Sequence, residues 1–362
     1  MAKILLAPDS FKGSSTSEKV ASAVGKGWLK VRPTDEITSI AFADGGEGTL
    51  AAIENSVKMG IRVPVVAQSG DSRNCNSYWL LVHEDIAVIE MAIICGITTV
   101  KTLDSLAAHS YGLGQVIASA ARDARVKEIL VAVGGSASTD AGVGALMALG
   151  FDCVDRSGSA IGLGGGALKD LMKISGEYVP PKRGIKILAD VQSPMTGFTG
   201  AAHVFGPQKG ASAAEVETLD QGLKNFLDVV GSVDAPGYGA AGGVSGGLAL
   251  VLGAQIVSGV QLLADLIGVI DQLAEADCVI TGEGTFDDQS YQGKVVGYLL
   301  EQAAARGVVA MVVCGVNKMG EDERVVSLVE LAPSVEAAIS ESAVWLEEAG
   351  ETLAARFSAI PS

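Results

Sequence analysis

Hydrophobic residues fall along this chain in short continuous runs that end at Pro, Asp or Gly, with helical periodicity between the runs. The run over 3–8 reads as a buried strand, closed by Pro8-Asp-Ser10. A helix follows, with Ser15 and Glu18 at capping-box spacing and Val20, Val24, Trp28 and Val31 at helical intervals. A second strand over 37–43 runs into Asp44-Gly-Gly-Glu-Gly-Thr49 and another helical stretch. Strand and helix alternating at this spacing predict a parallel sheet with right-handed crossovers.

From 62 to 92 the pattern changes to three strands with little room for helices between them, which predicts antiparallel pairing and the start of a second domain. A helix over 104–125, a strand over 129–133, a helix over 139–149 and a strand over 185–189 continue it as mixed α/β structure. Strands of parallel type return at 278–281, 309–314 and 326–331, with a last helix over 335–356. The simplest architecture is a discontinuous Rossmann-like α/β domain from 1–64 and 261–362, with a mixed α/β domain inserted at 65–260. The segment 126–150 fits either domain. Two domains are also what 362 residues lead one to expect, since single cores stop growing near this size.

Composition narrows the function. Hydrophobic residues at 48% and charged residues at 19% indicate a globular chain. Forty-six glycines against ten prolines, grouped without a period, suggest backbone brought close to a ligand. The net charge of −16 argues against nucleic acid as a partner. Five scattered cysteines without a CxxC pair argue against a disulfide framework or zinc site and fit a cytoplasmic, reducing setting. The N-terminal apolar run is too short for a signal peptide. The stretch 235–264 is uncharged, but Gln255, Ser258 and Gln261 interrupt it and no basic or aromatic anchors flank it. It reads as a glycine loop feeding a buried helix rather than a membrane span. The oligomeric state is left open between monomer and homodimer.

Ligands of open parallel sheets bind outside the carboxyl ends of the strands, so the polar residues there carry the information. Asp9, Ser10 and Lys12 follow the first strand, and Asp44 and Glu47 the second. Ser136 and Asp140, then Asp190, then Glu283 and Asp287 follow three others. One Asp-Gly after a strand is ordinarily a turn; five such ends are not explained by turns alone. Gly134-Gly135-Ser136 passes from a strand into a predicted helix and would aim N–H groups at an anion, the bland reading being a tight packing turn. Carboxylates for a metal, N–H groups and lysines for phosphates, and a base near a hydroxyl are the parts of phosphoryl transfer. There is no P-loop. Gly237-Tyr-Gly-Ala-Ala-Gly242 matches a dinucleotide fingerprint in form only, because Ala235-Pro236 precedes it instead of a strand. Gly243-Val-Ser-Gly-Gly247 matches a nucleophile elbow, yet His83, His109 and His203 all precede it, which excludes a serine hydrolase of that type.

Taken in order, Ala7-Pro-Asp-Ser-Phe-Lys-Gly13, Ala43-Asp-Gly-Gly-Glu-Gly-Thr49, Gly134-Gly-Ser-Ala137, Val204-Phe-Gly-Pro-Gln-Lys-Gly-Ala211, Gly239-Ala-Ala-Gly-Gly243 and Thr281-Gly-Glu-Gly-Thr-Phe-Asp-Asp-Gln-Ser290 with Gly293-Lys294 resemble the bacterial two-domain glycerate kinase family. Two departures stand out: Thr139-Asp-Ala-Gly142 where the family commonly has Asn-Asp-Gly-Gly, and Ser193-Pro-Met195 where it has Asn-Pro-Leu. The resemblance implies ATP, Mg²⁺ and a small hydroxy acid, with D-glycerate phosphorylated to 2-phosphoglycerate in an interdomain cleft. It makes Asp190, then Asp44, the candidate base, and offers Lys12 or Lys209 for the substrate carboxylate. Asp9, Ser10, Gly134, Gly135, Ser136, Asp140 and Lys294 become candidates for substrate and phosphate, and Glu47, Glu283 and Asp287 for the metal. The alternatives are a kinase for another small hydroxy acid and a non-catalytic nucleotide- or metabolite-binding protein.

Overall fold

A computed structural model describes residues 1–11, 14–42, 45–56, 60–291 and 293–359. Its strands are β1 (Lys3–Leu6), β2 (Glu36–Ser39), β3 (Ile61–Gln68), β4 (Asn74–Val82), β5 (Ile86–Glu90), β6 (Glu128–Ala132) and β7 (Asp152–Val154). They continue as β8 (Lys173–Ser175), β9 (Ile185–Leu188), β10 (Gln255–Val257), β11 (Cys278–Phe286), β12 (Val309–Asn317) and β13 (Val325–Ser327). The chain divides into two compact units, one of Met1–Asp44, Ala51–Lys58 and Val260–Ser362, the other of Gly45–Leu50 and Met59–Gly259.

The unit made from the chain ends holds a parallel sheet in the order β13-β12-β11-β1-β2. Its central strands are apolar on both faces because helices cover both. Helices Ser17–Val31 and Ser342–Ala359 supply Trp28, Leu346 and Leu353 to one buried cluster with Ile4, Leu6 and Ile280. Helix Val295–Arg306 supplies Val296 to a second with Phe286, Val312 and Cys314. The first helix starts one residue later than a Ser15 cap would give: Thr16 is the N-cap, its side chain accepting from Lys19 N–H.

The other unit is built on a mixed sheet in the order β10-β9-β6-β5-β4-β3. The β3–β4–β5 meander is antiparallel, as the crowded strand pattern predicts, while β5, β6, β9 and β10 run parallel. Trp79, Ile117, Leu146 and Phe226 are among the residues filling its core. The uncharged stretch divides into helix Val244–Leu252, β10 and the start of helix Gly259–Ile267. Neither helix approaches the roughly 20 residues of a membrane span, and no helix among the described residues is long and apolar enough to cross a membrane.

Candidate active site

In the second unit, three neighbouring parallel strands end side by side and each delivers a polar feature. β5 ends at Glu90, which is paired in register with Ala132 of β6. Its buried carboxylate, 2% exposed, accepts Gly48 N–H on one oxygen and Leu50 N–H on the other, both at 2.9 Å. Glu90 therefore fixes the Gly45–Thr49 loop on which Glu47 stands exposed. β6 leads into Gly134-Gly135-Ser136. The loop and the turn touch: Gly134 N–H reaches Gly45 O at 3.4 Å, and a Cβ on Gly134 would lie 2.5 Å from Gly46 Cα. Gly135 has a left-handed backbone, φ 73°, a conformation that opens N–H groups toward an anion. β9 ends at Asp190, half-buried, which accepts Gly259 N–H at 3.0 Å.

A buried cation lies against this turn. Lys209, 3% exposed, donates to Ser136 Oγ at 3.1 Å and to the Ser138 carbonyl. Burial pushes its pKa down to about 8, with the Asp140 carboxylate opposing the shift. Asp140 is buried too and serves the backbone. Its oxygens accept Ser110 N–H and O–H at 2.8 Å and the Gly142 and Gly144 N–H groups at 3.2 Å. Those four donors satisfy the carboxylate inside the unit.

In the chain-end unit a second array gathers at the carboxyl ends of β1, β11 and β12, around a cavity of about 480 Å³. Asp9 and Ser10 follow β1, with Asp9 N–H on Gly282 O at 2.8 Å and Ser10 N–H on Asp9 Oδ1 at 2.6 Å. Glu283, inside β11 and 6% exposed, holds Lys294 Nζ at 3.2 Å through one oxygen. Its other oxygen is buried without a hydrogen-bond partner. That orphaned oxygen marks a place where a donor or a cation belongs. Asp287 stands further along; it accepts Gln289 N–H at 3.0 Å and faces Lys318 at 3.9 Å.

Of the residues singled out from sequence, the structure thus groups Asp9, Ser10, Glu283 and Lys294 in one unit. It groups Glu47, Gly134, Gly135, Ser136, Lys209 and Asp190 in the other, with Asp140 behind the turn. Lys12 and Asp44 lie outside the described residues. Glu90 escaped the sequence reading, although a carboxylate closing the apolar run Ile86-Ala-Val-Ile-Glu90 is the same signal used at the other strand ends. Ser245 is fully buried, and His203 sits against Glu217 and Phe198. No group of three or more His, Cys, Asp or Glu suited to a metal occurs among the described residues. A metal that is carried largely by substrate phosphates does not require one.

Parallel strand ends bearing carboxylates, a glycine turn, the buried Lys209 and the half-buried Lys294 fit an α/β enzyme that acts on small molecules. Known relatives make this particular. The glycerate kinase family matches residues 4–358. A glycerate kinase of Haemophilus influenzae is 38% identical over 304 residues, 81% of this chain and 80% of its own. The glycerate 2-kinase of Escherichia coli K12 is 36% identical over 305 residues, with 81% and 80% covered. A solved Salmonella typhimurium structure named as glycerate kinase 2 superposes with a TM-score of 0.81 at 31% identity, covering 99% of this chain and 98% of that one. The chain belongs to the glycerate kinase family and is a kinase.

Proposed function

We propose that the protein transfers the γ-phosphoryl group of ATP to the 2-hydroxyl of D-glycerate, giving 2-phosphoglycerate and ADP. The observation that carries the acceptor assignment is the buried Lys209 bound to the Gly134–Ser136 turn. A fixed cation beside a left-handed glycine turn suits a compact carboxylate. Asp190, at the neighbouring strand end, is the group we assign to accept or orient the proton of the attacking hydroxyl. Glu90 keeps the Glu47 loop on the turn; Asp44 is assigned to the same loop from sequence only, as is Lys12 to the substrate carboxylate. Asp140 acts by fixing the Ser110 and Gly142–Gly144 backbone rather than on the ligand.

On the donor side, Lys294 would face the phosphates with Asp9 and Ser10 beside it. Glu283 fits Mg²⁺, because its unpartnered oxygen is of the kind that receives a metal ion or its water, and Asp287 and Glu47 are lesser candidates. When bound, the ion would neutralise charge on the phosphates during transfer.

The test is ADP release across a panel of hydroxy acids. D-Glycerate should be the preferred acceptor. Turnover confined to another hydroxy acid would replace the acceptor assignment, and nucleotide binding without turnover on any acceptor would remove the kinase reaction itself.

A further inference from the structure

The cavity of the chain-end unit has a second half that the phosphates do not account for. Gly284 and Gly315, on the paired strands β11 and β12, line it with bare backbone. Its wall is hydrocarbon. Leu328 is buried there, while Val335 and Ile339 of helix Val335–Ser340 are each 54% exposed. Four residues apart, these two occupy one helix face, so they present one apolar patch to the cavity rather than two isolated contacts.

We propose that this half takes the purine of the nucleoside triphosphate donor, its flat ring on the Gly284–Gly315 backbone and against Val335 and Ile339, with the phosphates leading to Lys294. The inference rests on the kinase reading and adds to it where the donor is held. The cavity, about 480 Å³, falls within the roughly 300–1,000 Å³ of small-molecule sites. Its polarity is divided end to end as a nucleotide's is: Lys294, Glu283 and Asp9 at one end, hydrocarbon at the other. A three-carbon hydroxy acid has no apolar surface with which to cover the patch. Side-chain-free backbone admits planar rings at van der Waals distance.

Val335→Asp and Ile339→Asp test this, because both positions are exposed and a charged residue there does not disturb the core. ADP affinity is measured by calorimetry, alongside the nucleotide KM, the glycerate KM and the melting temperature. Each substitution should weaken ADP binding and raise the nucleotide KM roughly tenfold, equivalent to about 1.4 kcal/mol. Ile339→Leu should behave as the wild type, and the glycerate KM and melting temperature should not move. Unchanged ADP affinity in both aspartate variants, in a wild type that phosphorylates glycerate, would overturn the proposal and leave the kinase reading standing. Loss of ADP affinity in a protein that phosphorylates no hydroxy acid would uphold the pocket and sink the kinase reading instead.

Discussion

Replacing Lys209 with Met keeps the length of the side chain and removes its charge. Two hydrogen bonds go with it, to Ser136 Oγ and the Ser138 carbonyl. The Ser138 carbonyl keeps the Ser136 O–H donor at 3.1 Å, so the acceptor that loses its donor is Ser136 Oγ, at a cost of about 1–3 kcal/mol. Against this, the charge is itself costly where it lies: the fall in its pKa from 10.5 to about 8 corresponds to about 3 kcal/mol against the protonated form. Asp140 does not become an orphan, since four backbone and hydroxyl donors from Ser110, Gly142 and Gly144 remain on it. The two effects are of similar size and opposite sign, so the melting temperature should shift by only a few degrees. The acceptor loses more. A hydrogen bond to a charged group contributes about 1.5–3 kcal/mol, so the glycerate KM should rise roughly 10- to 150-fold. The nucleotide KM should stay put, and kcat should fall far less than the glycerate KM rises. Steady-state kinetics with each substrate varied in turn, together with a thermal melt, reads all of these. A folded Met variant with an unchanged glycerate KM would refute the assignment, and a collapse of kcat at constant KM would move Lys209 from the carboxylate to the phosphoryl group.

The remaining predictions concern the same arrays. Asp190→Asn should lower kcat roughly 10²- to 10⁴-fold with little change in KM or melting temperature, as loss of a proton-accepting group does; near-normal kcat removes it from the reaction. The glycerate KM of the wild type should rise with pH above about 8, because the free protein loses the Lys209 charge there, and Lys209→Met should flatten that rise. The same depressed pKa makes the fold gain stability between about pH 8 and the ordinary 10.5, where the unfolded chain still holds the proton and the folded one has released it; an unchanging melt over that window would argue against a neutralising Lys209. Glu283→Gln should raise the Mg²⁺ concentration needed for half-maximal rate, and an unaltered Mg²⁺ titration would relieve Glu283 of that role. Gly134→Ala should destabilise by about 1–3 kcal/mol, since its Cβ meets Gly46 backbone at 2.5 Å; an unshifted urea midpoint would mean the loop and turn part readily.

The parallel strand ends were legible in the sequence because apolar runs stop abruptly at Asp, Ser and Gly, as Ala7-Pro-Asp-Ser10 does. Glu90 closes an apolar run in the same way, but which face of its strand end is ligand-facing depends on pairing: β5 is antiparallel to β4 on one side and parallel to β6 on the other. Only the second pairing makes its carboxyl end a ligand-facing end, and pairing on both sides is a tertiary fact. Helix bounds failed where local hydrogen bonds compete with helical ones. The helix expected over 104–125 begins at Tyr111, because Asp104 turns the chain first by accepting Ala107 N–H at 3.0 Å. The strand expected over 326–331 is the short β13 followed by a helical turn, Leu328–Leu331; a brief apolar run fits either period. The helix expected over 335–356 is two helices, Val335–Ser340 and Ser342–Ala359. Lys209 was nominated by motif alone, and its burial beside Ser136 depends on contacts 73 residues apart.

The central claim is the reaction itself, and a phosphorus spectrum of the product from ATP and D-glycerate tests it most directly, since it reads acceptor and position together. Stoichiometric ADP and a single monoester resonance coupled to the C2 proton are expected, the signature of 2-phosphoglycerate. A resonance coupled to the C3 protons would contradict the regiochemistry, and the absence of any phosphoglycerate resonance would contradict the claim as a whole.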